Sequence, residues 1–121
     1  MEEYLIGICY HEPEPWRLFQ QGVIEDYESS TGVFITAPSE ADAISWGEHI
    51  GEALHRFVNG DSSLRWKDSG YFCWIEHEPA VSGWQHCLSF FQHVEAGEMP
   101  DLTRMTTDAY EEWQKSNKEP G

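Results

Sequence analysis

The run SEADAISWGEHIGEALHRFVNG, Ser39 to Gly60, constrains the fold more than any other stretch of this chain. Ala43, Trp46, Gly47, Ile50, Leu54, Phe57 and Val58 recur at the three- and four-residue spacing that places them along one side of a helix. Ser39 offers an N-cap oxygen and Asp42 stands three residues on, at the capping-box position. Glu40 adds negative charge at the positive end of the helix. Asn59-Gly60 supplies the stop. The periodicity predicts that Trp46, Ile50, Leu54 and Phe57 are buried and that Glu48, Glu52 and His55 face solvent.

The surroundings read as strands. Tyr4 to His11 alternates, with Ile6, Ile8 and Tyr10 on one face and Leu5, Cys9 and His11 on the other, and the prolines of EPEP stop it. WRLFQQGVIEDYESSTGVFITAP predicts a long or broken strand, a turn at Ser-Ser-Thr-Gly and a return strand ending near Ala37. LRWKDSGYFCWIEHE predicts a hairpin about Lys67-Asp68-Ser69-Gly70. A second helix is expected from Val81 to Glu95, burying Trp84, Leu88, Phe91 and Val94 and ended by Gly97 and Pro100. A short last helix carries Tyr110 and Trp113, opened by Asp108. Val33–Trp46 and Tyr71–Trp84 also run alike, which supports two strand-then-helix units laid on one sheet.

The expected fold is therefore α+β. An antiparallel or mixed sheet of about five strands is packed by two main helices in a two-layer sandwich, with a short C-terminal helix added. Residues 1–116 form one domain on this reading and 117–121 a loose tail.

The segment YFCWIEHEPAVSGWQHCLSFFQH looks like a metal or catalytic site, with two cysteines and three histidines close in sequence. Geometry disperses it. On a strand, Cys73 and His77 lie about 13 Å apart along the chain. On the expected helix, His86 and His93 are about 10.5 Å apart along the axis. Zinc needs its donor atoms about 2.0–2.3 Å from the ion, usually from tight local pairs. Cys9-Tyr10-His11 could join Cys73 or His77 across neighbouring strands, which gives one functional reading: a small metal- or thiol-dependent enzyme using Cys9, His11, Cys73 and His77. The E-x-x-H of Glu52 and His55 has no second copy, so a di-iron bundle is not indicated. G-x-S-x-G, P-loop and G-x-G-x-x-G motifs do not occur in the sequence. Neither a cofactor nor a metal is expected.

Charge points elsewhere. The 121 residues hold 22 acids against 7 lysines and arginines, a net −15. Phosphate-rich partners need cations, so neither nucleic acid nor an anionic membrane is expected. A basic protein partner is. The six tryptophans are many for so small a core, and Phe72 with Trp74 share one strand face that could stand open as an aromatic patch. The preferred expectation is an inhibitor or immunity-type protein whose acidic face occludes a basic site, for instance on a nuclease. Glu48, Glu52 and His55 on the long helix, Glu25, Asp26 and Glu28 on the hairpin, and Phe72 and Trp74 on the sheet would carry the binding. Three cysteines, an odd count without a close pair, suggest a reducing cytoplasm with free thiols. The opening MEEY carries glutamates where a secretory leader carries positive charge. A plain structural module is the third reading.

Overall fold

A computed structural model describes residues 1–23, 28–60, 66 and 71–116, with backbone alone for 14–16 and 28. Strand β1, Glu2–His11, is buried without interruption from Leu5 to His11. A half-exposed strand would alternate; this one sits inside the sheet with both faces covered. β2, Glu28–Ala37, pairs with it antiparallel from Glu2↔Ala37 to His11↔Glu28. β3, Cys73–Glu76, lies antiparallel on the other side of β1, and β4, Gln92–Glu95, runs parallel to β2. Among the described residues the sheet is thus four-stranded and mixed, in the order β3-β1-β2-β4. The first arm of the expected hairpin, and with it any fifth strand, falls largely outside the described residues.

Helix α2, Glu40–Asn59, forms as its sequence predicts. Ser39 Oγ accepts from the Asp42 amide at 3.2 Å, and Gly60 closes the other end at φ 64°, in the left-handed region open to glycine. Ala43, Ile50 and Leu54 press on Ile6, Ile8, Val33 and Ile35. Close approach depends on Gly47 and Gly51, where an added Cβ would stand 2.7 Å from Ile6 Cγ2 and 3.2 Å from Ile8 Cγ2 respectively. His55 is the next residue on that i, i+4 stripe, so it follows the glycines down onto the sheet and is fully buried. Its expected exposure is overturned for that reason. Phe57, expected in the core, lies on the opposite rim of the helix and is 47% exposed.

Three further expectations are corrected. Pro13–Gln20 is a helix, α1, where a strand was expected from Trp16, because the prolines of EPEP sit in the first turn, where a missing N–H costs nothing. Ser29-Ser-Thr-Gly32 is no turn; it runs straight through β2. Gly32 serves packing, since a Cβ there would meet the Phe91 ring at 3.0 Å and the Trp84 ring at 3.1 Å. The second main helix does not form. Between β3 and β4 the chain makes short 3₁₀ turns at Pro79–Val81 and Leu88–Phe90. The Ser82 hydroxyl bonds Pro79 O and the Trp84 amide, taking backbone partners a helix would need. Gly97, at φ 99°, therefore ends a strand and not a helix.

The second face of the sheet is covered all the same. Leu5, Phe34, Trp84, Cys87, Leu88, Phe90 and Phe91 form a second core there, joined by Tyr110 and Trp113 from α3, Thr107–Ser116. Trp74 lies over Gly7 on this side, its ring centroid 5.7 Å from that of Trp84. An alanine Cβ at position 7 would come within 2.4 Å of the Trp74 ring. Gly7→Ala should consequently cost about 1–3 kcal/mol through overpacking, read as a lower urea midpoint. An unchanged midpoint would mean that Trp74 does not seat on β1.

Candidate functional site

The residues singled out from sequence occupy separate places. Cys73 stands on the α2 side of the sheet, its thiol donating to Ile44 O at 3.5 Å. Cys9 stands on the other side of β1, 4.0 Å from Ser30 Oγ. His77 follows Glu76, the partner of Leu5, and so lies beside Tyr4. From there to His11 is about 23 Å of strand. Cys9, His11, Cys73 and His77 do not share a centre. Among the described residues no three His, Cys, Asp or Glu side chains are placed to hold one ion, and no disulfide joins the cysteines.

His11 has other company. Its ring stands perpendicular to that of His55 with centroids 4.5 Å apart, and its Nδ1 is 2.5 Å from the Tyr71 hydroxyl. Asn59 Nδ2 reaches back to His11 O at 3.0 Å and lies 3.5 Å from His55 Nδ1. Burial, and then the neighbouring His55, lower the His11 pKa to about 4. Burial lowers that of His55 too, with Glu52 offsetting part of the shift. Both rings are neutral near pH 7, which suits Tyr71 O–H donating to His11 Nδ1. His55 Nε2 is buried with no hydrogen-bond partner among the described residues. This cluster joins β1, α2 and the segment before β3.

The acidic set is dispersed as well. Glu48 and Glu52 are half-buried at the flank of α2, and Glu52 holds Arg56 at 2.7 Å. Glu40 and Asp42 are exposed at its start. Glu25 and Asp26 lie outside the described residues, and Glu28 is described by its backbone, opposite His11. On the sheet, Phe72 is 58% exposed and touches Trp74 with ring centroids 5.8 Å apart. Trp74 itself is half-covered by Trp84, so the expected open aromatic face shrinks to Phe72 and one edge of Trp74.

Sequence reasoning missed a cavity of about 340 Å³ walled by Tyr10, Thr31, Trp84, Phe90, Phe91 and Tyr110 among others. His86 Nε2 is 3.2 Å from the Tyr110 hydroxyl at its edge. Burial pushes the Cys87 thiol up, with Tyr110 offsetting part, and its S–H donates to Trp84 O. A thiol so held is protonated and a poor nucleophile. Burial likewise raises the phenol of Tyr10.

No family model, curated protein or solved structure matches the chain. Function is therefore read from these side chains alone. Among the described residues, Cys9 and Cys87 are buried, and Cys73 is half-buried with its thiol on Ile44 O. Among the described residues no helix is long and apolar enough to cross a membrane.

Proposed function

We propose that this protein acts by binding: a small acidic domain that occludes a basic surface on another protein, in the manner of an inhibitor or immunity protein, in a reducing cytoplasm. The observation that carries it is the charge balance, 22 acids against 7 basic residues, taken with the acids along the outer side of α2. Asp42, exposed, and Glu48 and Glu52, half-buried, stand away from the stripe of Ile50 and Leu54. A surface of this sign steers a basic partner and repels acidic ones. Phe72 offers an apolar anchor of the kind interfaces favour. His55, being buried, drops out of the docking surface. The metal- or thiol-enzyme alternative finds no support in the positions of Cys9, His11, Cys73 and His77.

Affinity capture from the source cells tests the reading, with the protein, a Glu48→Lys/Glu52→Lys variant and a Phe72→Ser variant as baits. One basic protein should be enriched on the unaltered bait and depleted on the charge-reversed one. The variant itself should stay folded. Point substitutions typically cost about 1 kcal/mol each, and the Glu52–Arg56 pair, being partly exposed, is worth no more than about 1 kcal/mol. Equal capture by all three baits would remove α2 and Phe72 from the interface.

A further inference from the structure

We propose that the cavity beside Trp84 and Tyr110 binds a small organic cation whose charge is delocalised or shielded by alkyl groups. The inference stands apart from the partner reading and rests on four features of the cavity. Its volume, about 340 Å³, is at the lower end of the roughly 300–1,000 Å³ of small-molecule sites. In a chain with 22 acids and 7 bases, none of the described residues lining it is Asp, Glu, Lys or Arg. Its walls include Trp84, Phe90 and Tyr110, aromatic residues of the kind that attract cations.

The fourth feature concerns anions. The start of α3 borders the cavity at Thr107, and a helix start ordinarily attracts negative charge. That role is already filled from within. The Glu12 carboxylate accepts the Thr107 amide at 3.2 Å and the Thr107 hydroxyl, and the Tyr10 hydroxyl donates to it at 3.2 Å. A fixed negative charge therefore stands directly behind two wall residues, in a chain of net charge −15. Anions are repelled there. A compact ammonium is excluded as well, because it is strongly hydrated and no carboxylate in the described wall replaces that water. A quaternary ammonium or an aromatic cation gives up less hydration and gains the ring faces and the long-range field. Hydroxyls of Thr107 and Tyr110, with His86 at the edge, leave room for one polar substituent.

Three probes of one shape separate the possibilities: 3-hydroxyphenyltrimethylammonium, its neutral carbon isostere 3-tert-butylphenol, and benzenesulfonate. Each is titrated into the full chain while amide and indole N–H shifts are followed by NMR. The cation should shift Trp84 and the residues around Tyr110 saturably, and bind about three- to thirty-fold more tightly than the isostere. Its affinity should fall as salt is raised from about 20 to 500 mM. Tyr110→Leu should lose a similar factor, while Tyr110→Phe keeps it. Equal or tighter binding of the phenol, or saturable binding of the sulfonate, overturns the cation assignment. Absence of saturable shifts at Trp84 and Tyr110 with every probe overturns the site.

Discussion

Leu54→Ala should lower the unfolding free energy by about 2–5 kcal/mol, the range for truncating a fully buried leucine. Leu54 has no exposed surface and sits among Ile8, Ile50 and Trp66, on the side of α2 that packs on the sheet. Gly51, one turn earlier, holds α2 so near Ile8 and the Trp66 ring that little slack exists to refill the void. A domain of this size has about 5–15 kcal/mol in all, so the variant should unfold at a much lower urea concentration with an unchanged slope. A loss below about 1 kcal/mol would mean that α2 does not pack on the sheet as described.

The second large effect is a loss of stability in acid that comes from His11 and His55. In the unfolded chain both titrate near about 6.5. In the fold, burial lowers both, His11 to about 4. Between these values the unfolded chain binds more protons than the folded one, so stability falls as pH falls. The contribution is intact above about pH 6.5, declines through the window and is fully lost below about pH 4. At about 1.4 kcal/mol per pKa unit, His11 alone accounts for no more than about 3 kcal/mol. Groups facing the pair are Tyr71, Asn59 and, across one turn, Glu52, which offsets part of the His55 shift. Protonating the many carboxylates relieves repulsion and opposes the trend, so a difference measurement is needed. Urea melts of the protein and of His11→Gln at pH 7.5 and pH 4 provide it. The stability gap between them should narrow or reverse by about 2–3 kcal/mol at pH 4. A gap that does not vary with pH would place the His11 ring in contact with water.

What the chain reveals before folding depends on how local its cause is. The long helix was legible from end to end because Ser39, Asp42 and Gly60 act within a few residues of where they stand. β1 was legible for the same reason, and so was the opposition of Phe72 and Trp74 to Cys73. His55 was misplaced because its spacing from Glu48 and Glu52 reads as solvent-facing, whereas Gly47 and Gly51 on the adjoining stripe draw that rim inward. The same glycines, read as a close-approach seam ending at position 55, were a usable signal. The expected helix from Val81 to Glu95 failed on register. Gln92–Glu95 answers to pairing with Val33–Thr36, nearly sixty residues away, which outweighs the local apolar spacing. The cavity had no sequence signal at all. Glu12 reaches Thr107 across 95 residues, and only the folded sheet brings Tyr10, Trp84 and Tyr110 together.

Partner binding through the acidic helix is tested most directly by association kinetics. The partner retained in the capture experiment is presented to the protein and to Glu48→Lys/Glu52→Lys at about 20, 100 and 500 mM salt. Charge steering acts mainly on the on-rate, and the Debye length falls from roughly 20 Å to about 4 Å over that range. The unaltered protein should associate fastest at low salt and slow steeply as salt is added, while the variant is slower throughout with a flatter dependence. Two superimposed salt profiles, with both proteins folded, would contradict the account.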